Sequence, residues 1–77
     1  MHTLRKLTNA VQYATRASSK RAAVNMACEM LAEADSIEEI EEIEEVAYGA
    51  ARGSNDRKAL LWAAVGAAKD RLSAEEE

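Results

Sequence analysis

The 77 residues, 8.4 kDa, suffice for one small domain, because a chain this short buries only about 60% of its unfolded surface; a second domain and a large active-site cleft are excluded. Hydrophobic residues make up 48%, but 17 residues are alanine and none is phenylalanine, so the core is thin and built from close helix contacts. The net charge of −4 argues against a dedicated nucleic-acid binder, and the absence of proline with few β-branched residues favours helix over sheet.

The first helix is expected from Thr3 to about Ala17, where Leu4, Leu7, Val11 and Ala14 follow a 3-4-3 spacing that makes one narrow apolar stripe. Continued in register, that stripe would meet Ser18, Arg21 and Asn25, so a break is expected at Ala17 to Ser19, with Ser18 or Ser19 as N-cap. The alternative is one long helix to Ala34, since no glycine or proline enforces the break. The second helix, about Lys20 to Ala34, is apolar over most of its circumference and leaves a polar strip at Arg21, Asn25, Glu29 and Glu33. Such a helix is central in a bundle or lies at an interface.

The third helix begins at Asp35-Ser36, where Ser36 and Glu39 have capping-box spacing. At about 100° per residue, Ile37, Ile40, Ile43, Val46, Ala47 and Ala50 collect on one half and Glu38, Glu41, Glu42 and Glu45 on the other. It ends at Arg52-Gly53, with Gly53 suited to the left-handed C′ position and Arg52 favourable beside the last carbonyls. Ser54 or Asn55 caps a fourth helix running to about Ser73, with Leu61, Val65, Ala68 and Leu72 inward. The fold expected is therefore all-α, a compact bundle of three to four short helices, with alanine and Gly66 permitting close crossings. Residues 1–73 form the single helical domain and 74–77 a frayed acidic tail.

Charge is sharply segregated along the chain. Residues 1–28 carry five bases and no acid, residues 29–45 nine acids and no base, and the remainder is neutral. A dipolar chain of this kind steers partners or draws its own segments together. The lone Cys28 excludes an internal disulfide, which for so small a domain points to the cytoplasm. No apolar run approaches the roughly 20 residues of a membrane span. The acid-free start has the composition of a transit peptide, but its removal would leave a remnant too small to fold readily.

Catalytic chemistry is poorly supplied. His2 is the only histidine and lies at the terminus, Cys28 has no fixed base beside it, and the glycines are isolated rather than grouped in a phosphate loop. Met26, Cys28 and Met30 read as core positions, because residues two apart on a helix point about 160° from each other. No catalytic residue, cofactor site or metal site is assigned.

Three surfaces remain as candidates. The acidic face of Glu38, Glu41, Glu42 and Glu45 is either simply solvated or imitates a phosphate row and docks on a basic site of a partner. Trp62, with Ala59, Ala63 and Gly66, gives the fourth helix a second face on which one large ring stands among small residues; it either covers the first or second helix or anchors an interface. Arg5, Lys6, Arg16, Lys20 and Arg21 form a weaker alternative, a basic patch for nucleic acid without an aromatic stacking set.

The function expected is non-enzymatic protein binding. Small size, acidity and lack of chemistry suit an inhibitor of a nucleic-acid-handling protein, of the kind encoded by phages and other mobile elements, an analogy of composition. The alternatives are a self-associating module that uses the Trp62 face and a weak nucleic-acid binder that uses the basic start.

Overall fold

Thr3 opens the first helix: its Oγ1 accepts from the Lys6 N–H at 3.2 Å and satisfies one of the amides that the first turn leaves free. From there the computed structural model, which describes residues 3–75, runs through four helices and, among those residues, no strand. They are α1 (Leu4–Gln12), α2 (Ala17–Glu33), α3 (Ile37–Ala51) and α4 (Asn55–Glu75). The expectations placed on His2, Glu76 and Glu77 lie outside the described residues.

The break between α1 and α2 exists, but it comes about four residues earlier than the hydroxyls suggest. α1 closes at Gln12, where Tyr13 N–H bonds to Asn9 O and Ala14 N–H to Val11 O. Arg16, extended at φ −113° and ψ 160°, is the N-cap of α2 and makes no side-chain cap bond, so Ser18 and Ser19 lie inside the first turn. Leu7 is buried and Leu4 and Val11 pack on the core, so the stripe has been used by Val11; the chain then reverses to bring Ala23, Val24 and Ala27 inward. The long-helix alternative is excluded.

α3 starts as its sequence spacing predicts. Ser36 Oγ accepts from Glu39 N–H at 3.1 Å, and the Glu39 carboxylate accepts in return from the N–H of Asp35, one residue before the cap, at 3.2 Å. Ile40, Ile43, Ala47 and Ala50 are buried, whereas Ile37 is exposed at the helix start. Gly53 has φ +90°, the left-handed conformation that releases the chain into the next turn, and Ser54 Oγ accepts from Arg57 N–H. α4 buries Leu61, Val65, Ala68 and Leu72, all four of the predicted inward residues, and continues through Ala74 and Glu75, where a frayed tail was expected.

α2 and α3 form the middle of the bundle, each packed on the other and on both α1 and α4, while α1 and α4 lie on separate sides and do not meet. The expected central place of the apolar second helix follows from this. The close crossing, however, is not at Gly66: a Cβ there would meet nothing within 4 Å. Gly49 is the glycine that permits one, since a Cβ at that position would stand 3.0 Å from Val11 Cγ1.

Two arginines of α4 close helix ends of its neighbours. Arg57 Nε donates to Ala50 O at 2.8 Å at the end of α3, and Arg71 Nη2 donates to Ala34 O at 2.7 Å and Leu31 O at 3.4 Å at the end of α2. Ala50 O and Ala34 O are carbonyls of the kind a helix C-terminus leaves without intrahelical partners, whereas Leu31 O also accepts from the Ala34 N–H at 3.3 Å. Arg57 therefore supplies a side-chain hydrogen bond at the end of α3, beside which the sequence placed the charge of Arg52.

Candidate interaction surfaces

The acidic face emerges from the phase of α3. With the isoleucines turned into the core, Glu38, Glu41, Glu42 and Glu45 are left exposed, and among the described residues none of the four has a hydrogen-bond or ion-pair partner. Their i, i+3, i+4, i+7 spacing lines them along about 10 Å of helix. Among the described residues no basic side chain of α1 forms an ion pair with them, and solvent moderates their mutual repulsion.

α4 produces a surface of the opposite kind. From Ala59 to Ala68 it contains no charged side chain, and its one side-chain hydrogen-bonding group is the Trp62 indole N–H; Lys58 and Lys69 bracket the run. A bundle helix buries only one side of such a run. Ala59, Leu60, Ala63, Gly66 and Ala67 are exposed and Trp62 is 52% exposed, because α1, the one described helix not already beside α4, packs on the far side of α2 and α3. Trp62 accordingly does not cover α1. Leu60 and Ala67 extend the face beyond the four residues that the sequence singled out; the unbroken uncharged run was the signal for them.

Two open grooves run along the seam between α2 and α4. One, of about 380 Å³, is lined by Arg21, Asp56, Ala59, Leu60 and Ala63; the other, of about 340 Å³, lies between Cys28 and Ala32 on one side and Ala64, Ala67 and Arg71 on the other. Their walls are mainly alanine and carry no set of groups for acid-base or nucleophilic chemistry. The Cys28 thiol donates to Leu60 O at 3.8 Å, and burial, with Glu29 beside it, pushes its pKa above the ordinary value. A thiol held protonated is a poor nucleophile. Among the described residues no group of three potential metal ligands assembles.

The basic residues do not converge. Arg5 and Lys6 are on α1, whereas Arg21 borders the α2–α4 groove beside Asp56, on the side that α1 does not reach. Lys20 is half-buried and Arg16 sits in the turn. Among the described residues no helix is long and apolar enough to cross a membrane. Comparison with protein-family models, curated proteins and solved structures gives no match.

Proposed function

We propose that this protein acts without catalysis, by docking the acidic face of α3 onto a basic site of a partner protein, and that the partner is one that handles nucleic acid. The observation that carries the reading is that Glu38, Glu41, Glu42 and Glu45 stand exposed in one line and, among the described residues, no basic side chain pairs with them. Four carboxylates along about 10 Å of rigid helix present a charge density of the order found on a phosphate backbone. The buried isoleucines hold this row in place, so docking requires little ordering. Inhibition of the partner follows from occupying its nucleic-acid site.

The test is capture from lysate on the immobilised intact chain, repeated with Glu38, Glu41, Glu42 and Glu45 all replaced by lysine, and repeated with excess duplex DNA as competitor. Capture of a protein that is lost in the replaced chain, with helicity retained, and displaced by DNA is the expected result. Capture that survives the replacement, or that DNA leaves untouched, refutes it.

A further inference from the structure

We infer that α1 is a strap over the groove between α2 and α3, and that it opens as a unit while α2, α3 and α4 stay folded. The α3 glutamates ride on the part that stays folded, so this inference and the acidic docking reading stand independently.

The core is complete without α1. Of the sixteen buried hydrophobic side chains among the described residues, Leu7 alone belongs to α1, while Leu4, Ala10 and Val11 pack on the core from its edge. α2, α3 and α4 each pack on the other two, a closed arrangement that α1 touches from outside without reaching α4. Arg57 and Arg71 further tie α4 to the ends of α3 and α2. Among the described residues, no side-chain hydrogen bond or ion pair joins α1 to another helix. Thr3 Oγ1 accepts from Lys6 N–H and Thr8 Oγ1 donates to Leu4 O, both within the turns of α1 itself.

The link to α2 is equally free. The bonds of α1 finish with Ala14 N–H to Val11 O, those of α2 begin with Lys20 N–H to Arg16 O, and among the described residues none spans Thr15. Arg16 gives α2 no side-chain cap bond that movement of the arm would break. The segment from Tyr13 to Arg16 is therefore a hinge. Lifted from the bundle, α1 has nine residues, fewer than the roughly 12 to 15 a helix needs to hold together in water, so its amides lose their own bonds as it opens.

Opening uncovers the apolar seat of Leu4, Leu7 and Val11, which reaches Gly49, one turn from Glu45. The strap thereby controls whether an apolar strip is exposed beside the glutamate row. The seat is tight at one point: a Cβ at Gly49 would stand 3.0 Å from Val11 Cγ1. Valine in a helix is held in one strongly preferred rotamer, so relief there comes from displacing α1.

Hydrogen exchange of the intact chain, followed amide by amide by NMR, tests the device. The amides from Thr8 to Tyr13 are expected to exchange through an opening that depends weakly on urea, with protection about tenfold or more below that of the slowest amides of α2, α3 and α4. Val65→Ala separates a strap from a cooperative whole. Val65 is on α4 and stays buried when the strap is open, so the slowest amides lose protection while α1 keeps its own. Leu7→Ala is expected to take away most of the protection of α1, and the other helices lose no more than the same factor, because opened and unfolded chains alike lack the Leu7 contact. Gly49→Ala is expected to lower the protection of α1 more than that of the other helices, since alanine favours the α3 helix that the open state retains. Protection of α1 equal to that of the slowest amides, or falling in step with theirs in Val65→Ala, shows one cooperative unit and overturns the inference. Protection of α1 unchanged by both Leu7→Ala and Gly49→Ala overturns it as well.

Discussion

Replacing Arg71 with methionine isolates the cap that α4 places on the end of α2. Methionine keeps most of the apolar stem and removes the guanidinium that bonds to Ala34 O at 2.7 Å and Leu31 O at 3.4 Å. A hydrogen bond from a charged donor contributes about 1.5 to 3 kcal/mol. Only the shorter bond is strong, and the Arg71 side chain is 36% exposed, so water replaces part of what is lost. The expected cost is therefore at the lower end, about 1.5 kcal/mol, or a fall in Tm of about 6 to 12 °C for a domain of this size. Arg71 also approaches Glu75 at 3.6 Å, but Glu75 is 61% exposed and a pair of that kind contributes little. Urea unfolding followed by circular dichroism, on the wild type, Arg71→Met, Arg71→Lys and Glu75→Gln, separates the two roles. Glu75→Gln should cost under about 0.5 kcal/mol and Arg71→Lys an intermediate amount, since lysine's single ammonium can reach one carbonyl but not both. A Glu75→Gln variant as unstable as Arg71→Met, or an Arg71→Met variant within about 0.5 kcal/mol of wild type, refutes the capping argument.

Two further outcomes follow from the core and the thiol. Leu61 is fully buried among many alanines, which cannot move to fill a void, so Leu61→Ala should cost about 3 to 4 kcal/mol; a thermal melt within a few degrees of wild type would contradict a core dependent on so few large side chains. Burial raises the Cys28 pKa from 9.0 in the folded chain, so the folded state retains a proton that the unfolded chain loses. Its contribution to stability is complete below pH 9.0 and declines as pH rises through the folded value; Cys28→Ala should remove that decline, and the thiol should alkylate more slowly than a free cysteine at the same alkaline pH. Equal alkylation rates would show that the thiol is not shielded.

Almost everything written within one helical turn was legible in the sequence. Ser36 with Glu39 set the start of α3, Gly53 set its end, and the 3-4 spacing of Leu61, Val65, Ala68 and Leu72 chose the inward side of α4, because caps and faces depend on neighbours at most four residues away. The acidic face was equally legible, since burying the isoleucines leaves those glutamates nowhere else to go. The early end of α1 was not, because at Gln12 the local signals are weak and the return of α2 onto α1 determines where the chain turns.

Sequence alone thus determined an all-α chain, the phase of its helices and the segregation of its charge, each a consequence of composition and short-range spacing. Tertiary structure decided which surfaces are covered. The placement of α1 away from α4 leaves Trp62 half exposed, Gly49 rather than Gly66 is the site of close approach, and Arg71 caps a helix end 37 residues away in sequence while Arg57 caps the helix just before its own. Each of these depends on which helix stands beside which, and the outer side of the apolar run from Ala59 to Ala68 stays uncovered because no helix among the described residues reaches it.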